Sequence, residues 1–375
     1  MKKLGYNKDM LSIKNIAIGY KISDKEYYDI NTLLTLISYT IYKGYYIEID
    51  SSNANRCLMS AYSNLAGLYP PGGWQQWNDD IKWQPIPVHT RPKYEDNVIN
   101  MGMECPKYDE LYQQTLNSKE VTDMDKVNKG FYKFLTNVSG LDVNIDNLWK
   151  VADTVYIEDL NNLTKNTWVY QKWQNTTVYD ELRRLESIQF HLLYKGTEIS
   201  KLKGGPLLKE MVDNMQYYIK NKDKPSQTRM HMFSGHDTTV AAFLSALELY
   251  KQFHSPPPYA ASVLLELHET SSNGFVVRIF YKQNETYAEP LILPGCARDC
   301  PIDDFVRLTK KVIPVDWKKE CGYKEHTNRG YKLTTSEIIS IVLAGVLIVT
   351  LICLIVTCVK LKRGHVVEYK AFTNT

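Results

Sequence analysis

Residues 232–240 read Met-Phe-Ser-Gly-His-Asp-Thr-Thr-Val. A histidine and an acid stand side by side, after a glycine and before two hydroxyls. The apolar approach, Ser234-Gly235, and the following Val-Ala-Ala-Phe-Leu predict a strand, a tight turn and a helix running to about residue 250. Asp237 or Thr238 is the expected cap of that helix. The free N–H groups and dipole at a helix start favour anions, so the arrangement suits a phosphate pocket with a proton donor beside it. Taken alone, such a His-Asp pair is more often a plain capped turn, and its context has to decide.

The elements that would position this pair are mixed. Residues 46–50 alternate as a short strand, and 53–68 carry apolar residues at helical spacing with Asn53 as the expected cap. Pro70-Pro71-Gly72-Gly73 ends that helix, and the prolines of 83–90 (WQPIPVHT) impose an extended chain. Helical signals then dominate, at 109–116, 127–135, 144–158 and 178–194. Beyond Gly204-Gly205-Pro206 come an amphipathic helix at 207–220, a strand at 230–233, and a hairpin of 261–267 with 274–281. Residues 1–45 lack strong periodicity and read as irregular and helical. The pattern predicts an α/β domain with a helical insertion.

The chain has 375 residues, 44% of them hydrophobic, enough for a sizeable core and two domains. A net charge of +3 is too small to suggest a nucleic-acid partner, and 27 tyrosines suit a globular ectodomain. Residues 338–359 hold no charge and are long enough to span a bilayer. Lys360, Lys362 and Arg363 follow at once, which predicts a type I orientation with a cytosolic C-terminus. Asn137, Asn162, Asn175 and Asn284 each begin a glycosylation sequon on the outer side. Of seven cysteines, Cys353 and Cys358 lie in the apolar run. The others, in an exported chain, would pair and leave one over, read as Cys57. The first residues, MKKLGYNKDMLSIKNIAIGYK, have neither the apolar core nor the cleavage site of a signal peptide.

An ordered series of segments goes further: NRCLMSAYSNLAGLYPP, WQPIPVHT, CPKYDELY, GGPLL, MFSGHDTTVAA, PPYAASVLLELHE, PGCARDCPIDDF and VIPVDW. Over residues 47–322 the chain thereby resembles the histidine acid phosphatases, in their animal prostatic, lysosomal and insect membrane-bound branch. The resemblance implies a phosphoglycerate-mutase-like α/β fold, with a mostly parallel sheet, helices on both faces and a smaller inserted helical domain. On that basis 1–91 and 204–323 form the phosphatase domain, 92–203 the insertion, 324–337 a stalk, 338–359 the membrane helix and 360–375 a cytosolic tail. The implied reaction is hydrolysis of phosphomonoesters through a phosphohistidine, without cofactor or metal. It splits one hard displacement into two easier ones. Arg56 looks like a phosphate-binding arginine, His236 like the second phosphate-binding histidine, and Asp237 like the proton donor to the leaving alcohol. The resemblance also implies bridges Cys105–Cys321 and Cys296–Cys300, and a homodimer. A third bridge of the family has no counterpart, since Ser262 occupies one of its positions.

The departures are as informative. None of the eight histidines precedes Gly-x-Arg, so the nucleophile motif Arg-His-Gly-x-Arg is absent. The family's arginine-bearing strand end is replaced by Ile49-Asp50-Ser51-Ser52, where Asp50 would repel a phosphate unless an arginine pairs with it. The missing entry signal and missing nucleophile together predict that the chain begins downstream of both. The alternative expectation is a catalytically inactive membrane glycoprotein. His89 and His231 read as structural. In the tail, Tyr369-Lys370-Ala371-Phe372 resembles an endocytic adaptor signal and Cys358 a site of acylation. The expected setting is a lysosomal lumen or the cell surface.

Overall fold

The computed structural model describes residues 16–23, 47–224, 227–272, 274–284, 287–323 and 335–372. The chain divides into two compact units, Met1–Tyr323 and Lys324–Thr375.

The first unit is built on a mixed sheet. Its strands are β1 (Ile16–Ser23), β2 (Ile47–Ser51), β3 (His89–Thr90), β6 (Met230–Ser234), β7 (Ser262–Glu269), β8 (Phe275–Lys282), β9 (Ala288–Leu291) and β10 (Cys300–Pro301). A separate small hairpin joins β4 (Lys172–Trp173) to β5 (Thr176–Thr177). The 8-stranded sheet runs β10-β8-β7-β1-β6-β2-β3, with β9 also paired to β8. Pairings β1–β7, β2–β6 and β2–β3 are parallel. Those of β1–β6, β7–β8, β8–β9 and β8–β10 are antiparallel.

Alternation along the strands sends side chains to two cores. Met230 and Met232 join Ile47, Ile49 and Leu264 against Ala61, Leu65 and Leu68 of helix α1 (Asn55–Leu68). Phe233, Val263, Leu265 and Leu267 face the opposite way, into the larger core with Leu207, Leu208, Met211, Ala242 and Phe243. Helices therefore cover both faces of the sheet. The central strand β7 is buried on both sides, with its buried Glu266 and His268 paired to each other at 2.8 Å.

Helices α2 (Pro106–Leu116), α3 (Lys119–Ser139), α4 (Trp149–Leu160) and α5 (Val178–Leu193) enclose a core of their own around Phe131, Leu135, Leu148, Leu182 and Leu185. Helices α6 (Thr197–Lys203) and α7 (Gly205–Asn221) then bring the chain back to the sheet, ahead of β6 and α8 (Asp237–Ala246). Helices α9 (Ile302–Thr309) and α10 (Trp317–Glu320) close the unit.

Four local expectations change. Residues 16–23, expected to be irregular or helical, form β1, which hydrogen-bonds to β6 on one side and β7 on the other. Its pattern is weak; the unpaired backbone groups of its two neighbours decide the conformation. The rest of residues 1–45 lies outside the described residues. Asn53 is not the cap of α1: Ala54 occupies that position, without a side-chain hydrogen bond. His236, not Asp237 or Thr238, is the cap of helix α8, and the helix stops at Ala246 rather than near residue 250, with Glu248 just beyond at φ 60°.

Cys105 is bonded to Cys321 with Cα atoms 4.9 Å apart, and Cys296 to Cys300 at 5.6 Å. These are the pairings the resemblance implied, and Cys57 is a buried thiol that takes part in neither. In the second unit, helix α11 (Thr335–Phe372) contains the segment Val342–Val359, apolar and long enough to cross a membrane. Residues 369–372 belong to the same helix, while most of the expected stalk is outside the described residues.

The junction of α6 and α7 sets where α8 lies. A Cβ at Gly204 would stand 2.1 Å from the carbonyl oxygen of Ala242 in α8. Backbone cannot yield as a side chain can, so Gly204→Ala is expected to cost about 2 kcal/mol or more. Denaturant unfolding measures this, and a change below about 0.5 kcal/mol would contradict the close packing.

Candidate active site

The carboxyl ends of β2 and β6 finish side by side, with Ser51 opposite Ser234. The N–H of Ser52 donates to the Ser234 carbonyl at 2.9 Å, and the Ser234 hydroxyl donates to the Cys57 carbonyl at 2.8 Å. Each strand leads into a helix, α1 or α8. In open α/β sheets this is the edge where ligands bind.

The geometry brings Arg56 onto His236 across 180 residues of sequence, with Nη2 3.0 Å from Nδ1. A guanidinium only donates, so Nδ1 accepts and the neutral ring carries its proton on Nε2. That nitrogen donates to the Ser52 hydroxyl at 3.0 Å. The ring is thus oriented from both sides. The His236 N–H donates to Thr239 Oγ1 at 2.9 Å, and the same hydroxyl donates to the Ile99 carbonyl at 2.7 Å. The turn must be glycine: a Cβ on Gly235 would meet Thr239 Oγ1 at 2.7 Å and Ile99 Cγ2 at 2.9 Å. Beneath the ring, Cys57 Sγ donates to the Gly235 carbonyl at 3.2 Å and lies 3.7 Å from both ring nitrogens.

Asp237 opens helix α8, and its Oδ1 accepts the Thr238 N–H at 2.8 Å. It also faces a cavity of about 20 Å³, lined by Asp153 and Tyr156 of α4, Arg183 and Glu186 of α5, and Pro256, Pro257, Pro258 and Tyr259. Arg183 is ion-paired with Glu186 and lies 4.2 Å from the centre of the Tyr156 ring. Tyr156 in turn stacks on Tyr259 at 5.7 Å. Burial pushes the Glu186 carboxyl up to about 7; Arg183 opposes the rise, while Asp153 and Asp237 add to it. Sequence reading missed this group. Arg183 and Glu186, three apart on an amphipathic helix, look like an ordinary surface pair.

Asp50, flagged as a repulsive substitution, has its counter-charge in Arg91. Burial raises the Asp50 carboxyl, Arg91 lowers it, and Glu210 and Glu48 raise it. Arg91 Nη2 also holds both carboxylate oxygens of Glu210, at 2.8 and 3.0 Å. His231 faces Glu48 at 3.5 Å, and His89 is exposed beside Asp50 in the strand register. Asn137, Asn162, Asn175 and Asn284 are all exposed. Among the described residues no group of three or more His, Cys, Asp or Glu is placed to hold a metal ion.

Residues 25–282 match the model of the histidine phosphatase superfamily (branch 2), and the chain belongs to that family. It is 33% identical over 324 residues to lysosomal acid phosphatase of Homo sapiens, covering 85% of this chain and 73% of that protein. Prostatic acid phosphatase of Homo sapiens is 38% identical over 285 residues, covering 75% and 72%. The phytase from Citrobacter braakii superposes with a TM-score of 0.54 over 84% of this chain and 100% of its own, at 13% identity, so the likeness is one of fold.

Glu186 gives the site a pH signature. Its carboxyl rises from 4.5 in the open chain to about 7 when folded. The folded state therefore binds this proton more tightly, and the stability it contributes is complete below 4.5 and lost as pH rises through 7. Thermal melts from pH 4 to 8 should show the melting-temperature advantage of wild type over Glu186→Gln shrinking across that window. A constant difference would contradict the burial of this carboxyl.

Proposed function

We propose that the protein is a membrane-anchored acid phosphatase that hydrolyses phosphomonoesters. The observation that carries this reading is the meeting of Arg56 and His236 at the strand ends with Asp237 on the following helix turn. Family membership and the acid phosphatases among its relatives support it.

In this reading Arg56 and His236 grip the phosphoryl oxygens, where charge must be neutralised during transfer. Arg56 supplies a forked donor that a lysine could not replace. Asp237 protonates the leaving alcohol. The attacking histidine of the family's Arg-His-Gly-x-Arg motif has no counterpart in this sequence, so the residues present account for grip and protonation. That absence also favours a second reading, a glycoprotein that binds phosphate esters without turnover.

Helix α11 supports a single-span anchor, and the exposed sequons support glycosylation of a lumenal or extracellular domain at Asn137, Asn162, Asn175 and Asn284. The homodimer and the adaptor signal at Tyr369 to Phe372 belong to the same proposal.

The protein purified from its native membranes is expected to hydrolyse p-nitrophenyl phosphate near pH 5. Asp237→Asn should lower kcat by about a hundredfold or more. Arg56→Ala should weaken inhibition by inorganic phosphate by about tenfold or more. Phosphate binding without hydrolysis would select the binding-only reading. An active Asp237→Asn variant would remove the role given to that acid.

A further inference from the structure

We infer that Glu186 and Asp153 determine specificity on the leaving-group side: they select phosphomonoesters whose alcohol is neutral or cationic near the ester and reject those with a second anion there. The inference rests on the phosphatase reading and names the substrate class.

The first ground is charge. Asp153 and Glu186 line a cavity together with Asp237, the acid proposed to protonate the leaving alcohol, and Arg183 is the one cation among the lining residues. Arg183 is already engaged, ion-paired to Glu186 and packed on the Tyr156 ring at 4.2 Å. It is therefore not offered to an incoming carboxylate or phosphate. Glu186 is only 3% exposed, so solvent screens its charge weakly. The groups that act electrostatically on Glu186 are Arg183, Asp153 and Asp237. The phenols of Tyr156, Tyr250 and Tyr259 complete its surroundings, and each of them is raised by burial and further raised by Glu186. At pH 7.5, with Glu186 ionised, the field apart from Arg183 is negative; near pH 5 Glu186 holds its proton and Asp153 carries the discrimination.

The second ground is size. A cavity of about 20 Å³ holds roughly one water molecule, and an ammonium group is about that size. A carboxylate or phosphate is larger and of the wrong sign. Juxtaposed like charges suppress wrong partners more strongly than any single contact recruits right ones. The two sides of the site thus have opposite tasks: Arg56 and His236 receive the phosphoryl group, while Asp153 and Glu186 screen what is attached to it.

The test uses the full chain in detergent micelles and ligands with a stable carbon–phosphorus bond, so that turnover does not interfere. Calorimetry first measures inorganic phosphate. It then compares 3-aminopropylphosphonate with 3-phosphonopropanoate, which match in length and differ in the sign of the distal charge, with propylphosphonate as the neutral reference. The amine ligand should bind about tenfold or more tightly than the acid at pH 7.5, with the neutral ligand tighter than the acid. Glu186→Gln, which keeps shape and removes charge, should shrink the amine-to-acid ratio about threefold or more while phosphate binding persists. Asp153→Asn should do the same, and it serves should Glu186→Gln fail to fold. Equal or reversed preference in the wild type overturns the inference, as does a ratio that both variants leave unchanged. Failure to bind phosphate at all overturns the phosphatase reading, and the subsite with it.

Discussion

The structure depends on two parallel strands ending at the same height. One hydrogen bond, from Ser52 N–H to the Ser234 carbonyl, continues the β2–β6 ladder past its last paired residues. A slip of one residue would turn every side chain of one strand to the other face. Met230 and Met232 would leave one core and Phe233 the other, so apolar burial on both faces fixes the register. Fixed register is what allows Arg56 and His236, on different helices, to make a 3.0 Å contact. Gly235 and Thr239 then hold the turn, and the first residue of α8 becomes an acid beside the pair rather than an exposed cap.

Around that pair the charges are sorted. Arg56 and His236 lie on one side of Asp237 in the chain and in function, and the carboxylates of Asp153 and Glu186 meet it across the small cavity. Behind the strand ends, Asp50 is offset by Arg91, which is itself clasped by Glu210. Acids near a phosphate pocket are tolerable when each has a counter-charge or a reason to stay protonated, and Glu186 has both.

The strand–turn–helix around His236, the hairpin of β7 and β8, the four helices of the middle region and the apolar span all have strong local patterns, and all are legible in the sequence. Arg56, His236 and Asp237 are singled out by the family resemblance, and the fold brings the first two to within 3.0 Å with Asp237 next in the chain. What escapes is set by distance. β1 is a strand because of where it lies, not because of what it contains. Arg91 meets Asp50 through neighbouring strands, and Glu186 meets Asp237 from 51 positions away through a helix packed on another. The helix ends placed at Asn53, at Asp237 or Thr238 and near residue 250 fall instead at Ala54, His236 and Ala246, shifts of one to four residues that local signals leave open.

The Cys105–Cys321 bridge has a mechanical meaning. It joins the residue just ahead of α2 to one only two positions before the first unit ends, spanning 216 residues of sequence. A pull transmitted along the chain from beyond Tyr323 reaches Cys321 almost at once and passes through a covalent bond to Cys105. Neither β10 nor α9, which lie earlier in the chain, has to bear that tension by hydrogen bonds or packing. The bridge works as a strain relief, like the clamp where a cable enters an instrument, and it takes residues 106–320, His236 among them, out of the covalent path of the load.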